Sequence, residues 1–253
     1  MDSPLEANLL WAARRVEDEP GWAVLETPAL QAIRTPVPAP VLNLAWGLPS
    51  PESLARAWTF FGDRQHRWYL PADADPGPLA GAGYVRVEAT REMVLDLAGA
   101  AVPPPPAGAR VAEAGPEDLA AWSALTGEIF GAGAAAEAAV WRPLLRRVGS
   151  VAYLVWMDGA PVATALVTPG EGTGGVHNVA TLPAYRGRGL AAAAVGACVA
   201  RAQAWGLERL ALYGSRMGVP VYARMGFRTI GTLGERLSPW AEGAPLNPPS
   251  PHP

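Results

Sequence analysis

The 253-residue sequence has one cysteine, three histidines and no lysine. A lone cysteine, Cys198, closes no internal disulfide. Together with His66, His177 and His252 it lacks the short paired spacings of a structural zinc site, so no metal is expected. Because every basic residue is arginine, mechanisms built on a Schiff-base, P-loop or kinase-type lysine are excluded. A positive excess is also lacking: 20 basic residues against 23 acidic ones give a net charge of −3, which argues against a nucleic-acid partner bound through a basic face. A membrane span needs roughly 18–20 apolar residues, and the longest uncharged helical stretch, Gly189 to Ala200, is far shorter and mostly alanine. Met1 to Leu10 carries Asp2 and Glu6 where a signal peptide would be basic, so a soluble cytoplasmic protein without a membrane partner is expected.

Half the residues are apolar, enough for a core, while 28 glycines and 27 prolines predict many loops. The run Val102 to Gly108 holds four consecutive prolines, which continue neither helix nor central strand. It divides the chain into an N-terminal α/β part (1–102), a linker (103–108) and a second domain (109–238). A tail rich in proline (239–253) is expected to be flexible. In the second domain the pattern reads βααβββαβαβ, a mixed α/β sheet with helices on its faces. The anchors of that reading are a strand at 110–114, helical material from Gly115-Pro116 to about Arg147, and strands at 150–157 and 160–168. Asp158-Gly159 between those two strands is a strong hairpin signal, since a type I′ turn needs positive φ at both central residues. A strand at 176–182, a helix at 188–205 ended by Gly206, a strand at 210–213, a short helix at 217–225 and a strand at 227–230 follow.

The most informative segment runs from Val179 to Ala191. A strand enters a turn with Gly187 and Gly189, two arginines flank them, and a long helix follows. Free N–H groups and the helix dipole converge there, so an anion site is expected, with Arg186 or Arg188 adding charge-assisted hydrogen bonds. Gly187-x-Gly189-x-x-Ala192 also fits a dinucleotide fingerprint. That alternative fails on context, because the candidate ribose acid, Glu208, precedes its strand and too little chain follows for a doubly wound sheet. A bare strand-to-helix turn that happens to use glycine is the remaining alternative.

Arg186-x-x-Gly189-x-Ala191 resembles the Arg/Gln-x-x-Gly-x-Gly/Ala signature of the GNAT acyltransferases, and the surrounding elements arrive in that family's order over roughly residues 109–238. A second segment, Ser215 to Phe227, is similar to the family's Asn-x-x-Ala-x-x-hydrophobic-Tyr…Gly-Phe stretch, with Ser215 and Gly218 in place of Asn and Ala. The resemblance implies a GNAT-like fold and transfer of an acetyl group from acetyl-CoA, as cosubstrate, to an amine in a ternary complex. It implies coenzyme contacts from Val179, Ala180, Thr181, Arg186, Gly187, Arg188, Gly189, Leu190, Ala191 and Ser215. Backbone N–H groups of Val179 to Thr181 would meet the thioester oxygen, and Tyr222 would act as general acid, unless it is a packed aromatic. For the base, His177, Glu128 and a water chain all stay open, and Cys198 reads as a small buried side chain. The acceptor implied by the resemblance is a small-molecule or peptide amine. A non-catalytic acyl-CoA binding or sensing protein is the alternative function.

In the first half, a helix is expected from Ser50-Pro51 to about Asp63, a strand at 66–70, a turn over 79–85 and a strand at 91–97. Aligning Gly83-Tyr84 on Gly226-Phe227 places Leu79 at the Tyr222 position. This suggests a degenerate second GNAT-like unit in a two-part, tandem-like architecture, with an unrelated α/β cap as the alternative. The many aromatics of this half, Trp22, Trp46, Trp68 and Tyr69 among them, read as core before groove.

Overall fold

A computed structural model describes residues 3–239; the tail, His252 included, lies outside the described residues apart from its first residue. In chain order the elements are α1 (Pro4–Arg14), β1 (Ala23–Glu26), β2 (Gln31–Arg34), β3 (Leu44–Trp46), α2 (Pro51–Phe61), β4 (Arg67–Pro71), α3 (Gly77–Gly81) and β5 (Val85–Asp96). Beyond the prolines come β6 (Ala109–Glu113), α4 (Leu119–Phe130), α5 (Ala134–Pro143), β7 (Val151–Met157), β8 (Ala160–Thr168), β9 (Thr173–Thr181), α6 (Leu190–Ala204), β10 (Arg209–Gly214), α7 (Val219–Arg224) and β11 (Arg228–Leu237).

All eleven strands form one mixed sheet in the order β1-β2-β3-β4-β11-β5-β10-β9-β8-β7-β6. The order is nearly symmetric about the β11–β5 pair. β3 and β4 are parallel, as are β9 and β10, while the outer pairs on each side are antiparallel. Each half therefore repeats one topology, with α2 matching α6 and α3 matching α7 between equivalent strands. The last strand of each half crosses over. β5 pairs with β10, and β11 pairs with β4. Consequently the strand before the prolines sits among strands that follow them.

The suggested internal register holds at the level of hydrogen bonds. Tyr84 N–H donates to the Leu79 carbonyl at 2.9 Å and Phe227 N–H to the Tyr222 carbonyl at 3.0 Å; Gly83 donates to Ala80 and Gly226 to Ala223, both at 3.0 Å. Both glycines have positive φ, +82° and +94°, a conformation that a side chain would strain.

Local chemistry explains most boundaries. Ser3 caps α1 by accepting from Glu6 N–H, with Pro4 at the first helical position. Asp158 and Gly159 adopt φ of +53° and +79°, as the hairpin reading requires. α6 buries Leu190, Ala194, Val195, Cys198, Val199 and Ala202 against the sheet, and its small residues let it lie close. Gly206, at φ +72°, ends that helical segment. The proline run is not a free spacer: it lies along α6, where a Cβ at Gly196 would stand 3.1 Å from Pro103 Cδ.

Two expectations are corrected. β5 begins at Val85, directly after the turn, rather than at Arg91, because pairing with β11 continues to Leu237↔Val85 on a segment exposed on both faces. β11 extends to Leu237 rather than Ile230, carried past Gly231 and Gly234 by irregular pairing. α1 and the short strands β1 to β3 carried no expectation.

Candidate active site

β9 and β10 pair only over Thr173–Gly175 and Arg209–Ala211, after which both strands continue without pairing to each other. The two strands therefore splay apart, and the opening is edged by Val176 to Thr181 on one side and Leu212 to Gly214 on the other. On its other edge β9 carries a bulge. Thr164 faces Ala180 and Leu166 faces His177, so Ala165 alone opposes Asn178 and Val179. Asn178 takes a left-handed φ of +50°, which asparagine tolerates better than most side chains. Its carbonyl accepts from Thr164 Oγ1 at 2.6 Å, fixing the bulge from the neighbouring strand.

The bulge answers the question of which way His177 points. Simple alternation would send His177 and Asn178 to opposite faces, yet both line the same cavity. His177 lies 5.8 Å from the Trp141 ring, centroid to centroid, and Gly175 leaves room for it: a Cβ there would fall 2.5 Å from His177 Nε2. Burial pushes the imidazole down to about 4, so it is neutral at ordinary pH.

Behind His177 and Asn178 stands Glu137, a carboxylate the sequence reading missed. It is 1% exposed, and its Oε2 accepts from Trp141 Nε1 at 2.8 Å and from Asn178 Nδ2 at 2.9 Å. Burial raises its pKa, and these hydrogen bonds oppose the rise. The available signal was a single acid among alanines with a tryptophan four residues on. Glu128, the carboxylate considered instead, is on the exposed side of α4.

Tyr222 projects from α7 into the splay, in the cavity that Ser215 and Val179 also line. Its ring packs on Phe227 at 5.9 Å and lies over two glycines. A Cβ at Gly218 would be 2.7 Å from Tyr222 Cε2, and one at Gly214 would be 3.5 Å from Cδ2. Glycine at 218 thus has a steric cause. Burial raises the phenol above its ordinary value, and no hydrogen bond from another described residue holds it. Ser215 is exposed and turned inward on its own loop, where its hydroxyl accepts from Gly218 N–H at 3.3 Å.

On the far side of β9, the turn into α6 has Gly187 and Gly189 at φ +76° and +78°. No side chain caps α6, in contrast to α1 and α2, which are closed by Ser3 and Ser50. The N–H groups of Leu190, Ala191 and Ala192 precede the first possible intrahelical bond, so they face outward at the positive end of the helix dipole. The Leu190 side chain is itself in the core, which leaves only its backbone for a ligand. Arg186 and Arg188 are exposed; Arg186 Nε donates to the Thr181 carbonyl at 3.2 Å, and the Arg188 guanidinium sits 5.0 Å from the Tyr185 ring centroid. The Thr181 hydroxyl, at the strand end, is buried without a partner. Cys198 is fully buried on α6 with its thiol pushed up, a packed side chain.

Equivalent positions in the N-terminal half are closed. Ser50 and Ser53 form a capping box on α2, with Pro51 at its first position, and β3 pairs with β4 along its whole length. Among the described residues no group of three or more His, Cys, Asp or Glu gathers as metal ligands, and no helix is long and apolar enough to cross a membrane.

The sequence model of the Acetyltransferase (GNAT) family matches residues 119–227. No curated protein matches the chain significantly in sequence. Among solved structures, a GCN5-related N-acetyltransferase from Kribbella flavida is 22% identical with a TM-score of 0.69, the match covering 96% of this chain and 97% of that one. A putative GNAT-family acetyltransferase from Novosphingobium aromaticivorans is 22% identical with a TM-score of 0.61, covering 93% and 98%. A tandem GNAT protein from the clavulanic acid biosynthesis pathway is 17% identical with a TM-score of 0.54, covering 97% of each chain. Residues 119–227 thus match the model of that family, the chain as a whole shares the fold of these acetyltransferase structures, and its N-terminal half repeats the topology of the half that matches.

Proposed function

We propose that the protein transfers an acetyl group from acetyl-CoA directly to an amine acceptor held in the same cleft, with residues 109–238 as the catalytic unit and residues 1–102 as its interlocked companion. One observation carries the reading: α6 is left uncapped behind two positive-φ glycines, immediately beside the splay of β9 and β10 into which Tyr222 projects. Six positions, Arg186 to Ala191, would hold the coenzyme's phosphates by backbone N–H groups and two guanidiniums. Val179, Ala180, Thr181 and Ser215 would line the path of its pantetheine arm. When bound, acetyl-CoA supplies the activated acyl group as a thioester.

The chain's own residues then have three tasks. Backbone N–H groups at the bulge, Val179 to Thr181, stabilise charge developing on the carbonyl oxygen; one such donor is worth about 10²–10³ in rate. Tyr222 gives a proton to the departing thiolate, and its raised pKa keeps it protonated for that purpose. His177, neutral in its half-buried setting on the cavity wall, offers a nitrogen lone pair to the amine. As a weak base it takes the proton after attack, when the substituted nitrogen is far more acidic than a free ammonium.

Calorimetry with acetyl-CoA and NAD tests the coenzyme: binding of acetyl-CoA alone is expected, and equal binding of NAD would end the proposal. Thiol release with amines then separates transfer from sensing.

A further inference from the structure

A cavity of about 270 Å³ opens from the splay and runs away from the phosphate loop, between α1, the β1–β3 region and α5. Its near end holds Tyr222, His177 and Asn178. The rest is walled by Leu9, Trp22, Ile33, Leu44, Trp141 and Leu144, so the N-terminal half supplies most of the far surface. Among the described residues lining it, none is Asp, Glu, Arg or Lys. Of the buried carboxylates nearby, Glu137 is engaged with Trp141 and Asn178, and Glu92 with the Ser3 hydroxyl at 2.6 Å and Leu5 N–H at 3.1 Å; Glu6 on α1, whose Oε2 has no partner and whose pKa burial raises to about 7, is not part of the lining.

From this lining we infer that the acceptor is a small monoamine with an uncharged, apolar or aromatic body. The inference rests on the acyltransferase reading above and names its substrate class. An amino acid would bring a carboxylate, and a polyamine or aminoglycoside further ammonium groups, into a space with nothing to pair them; leaving a charge unpaired and desolvated costs several kcal/mol. A flat apolar body instead gains contact with Trp22 and Trp141. The space equals about nine liquid waters at ~30 Å³ each, which suits a single ring with a short aminoalkyl arm and excludes a folded peptide. His177, Asn178 and Tyr222 gather polar atoms at the reacting end, where one nitrogen is to be positioned, and the remaining polar lining consists of neutral hydroxyl side chains such as Thr35, Tyr69 and Thr168. An acyl chain longer than acetyl would gain nothing from His177 and Asn178, so the amine is favoured as occupant.

The test compares 2-phenylethylamine with spermidine, lysine and an aminoglycoside, following thiol release from acetyl-CoA. The expected kcat/KM favours 2-phenylethylamine by at least ~100-fold. Equal or better turnover of a charged acceptor overturns the inference. Val41→Trp and Leu9→Trp each narrow the far end from a different element, and each is expected to lower kcat/KM for 2-phenylethylamine at least ~10-fold while calorimetric affinity for acetyl-CoA holds. Octanoyl-CoA binding far more tightly than acetyl-CoA, with that advantage lost in both variants, would assign the cavity to the donor and overturn the inference. Calorimetry with N-acetyl-2-phenylethylamine needs no coenzyme. Binding of this neutral product by a protein that ignores acetyl-CoA would keep the cavity assignment and sink the transferase reading; acetyl-CoA binding without product binding would do the reverse.

Discussion

Replacing Tyr222 by phenylalanine removes one oxygen from a site where the surrounding protein has no use for it. The ring is held by Phe227, by the bare backbone at Gly214 and Gly218, and by the core cluster around α6, and phenylalanine keeps all of these contacts. No described residue shares a hydrogen bond with the hydroxyl, so its loss strands no partner. The hydroxyl opens onto the cavity, so its removal is expected to change stability by less than about 0.5 kcal/mol, a shift in Tm of at most about 2 °C at this size. Catalysis should respond far more strongly. Losing the proton donor to the thiolate is expected to lower kcat about 10²-fold, equivalent to ~2.7 kcal/mol of barrier, with acetyl-CoA affinity by calorimetry unchanged. The assay is thiol release at saturating amine beside a thermal melt. Unchanged kcat would remove Tyr222 from the chemistry, and a Tm lowered by several degrees would make its role packing.

Gly218→Ala tests the same ring from below: the backbone there is ordinary helix (φ −78°, ψ −36°), yet the new Cβ would press on Cε2. The expected result is a fall in kcat, with the usual ~0.4–1 kcal/mol gain of glycine to alanine cancelled by that contact, as read from kinetics and a melt. Asn178→Ala should cost about 1–2 kcal/mol, because alanine strains at φ +50° and Glu137 loses a donor; Asn178→Gly should recover the backbone part in denaturant titrations. Glu137→Gln tests linkage. With the folded pKa raised above the ordinary 4.5, the native state holds its proton longer than the unfolded chain, so wild-type stability is greatest below 4.5 and falls as pH rises through the raised value. Melts across that window should show the slope reduced in the glutamine variant.

Where a residue's conformation is dictated locally, the sequence was readable. Asp158-Gly159, the glycines of the phosphate loop, Gly206 and the Gly-Phe turn all follow from φ requirements within a few residues. The first half resisted for the opposite reason. β1, β2 and β3 are three or four residues long, too short for a period-2 signal, and β5 opens with a segment exposed on both faces, where alternation carries no meaning. The site divides the same way. Residues of the proposed coenzyme loop sit in one continuous stretch, whereas the cavity is assembled from α1, β2 and β3 of the first half and α5 and β9 of the second, far apart in the chain. Trp22 and Tyr69 line that cavity and Trp46 and Trp68 are core, a distinction that composition does not carry. Glu137 was missed because its importance comes from Asn178, 41 residues away and bent toward it by a bulge.

The near-symmetric sheet explains how one half came to serve as a wall. Both halves present a helix between the two strands of their parallel pair, α2 between β3 and β4 and α6 between β9 and β10, and the same position in the topology would give each an anion site. In α2 Pro51 has no N–H and that of Ser53 donates to Ser50 Oγ at 3.1 Å, leaving fewer open donors than α6, and full pairing of β3 with β4 removes the splay that β9 and β10 retain. Trp68 Nε1 donates to the Gly47 carbonyl at 2.9 Å, bridging the two strands where the other half opens its cleft. With neither phosphate site nor cleft, the first half keeps only its surface, and the crossed strands β5 and β11 hold that surface rigidly against the working half. Trp46 Nε1 donates to Tyr213 Oη at 3.0 Å across the join, and Asn8 on α1 donates to the carbonyls of Pro169 and Thr173 beside β9. The cavity proposed for the acceptor is therefore built between two halves of one topology, the first capped at the position where the second leaves its helix open.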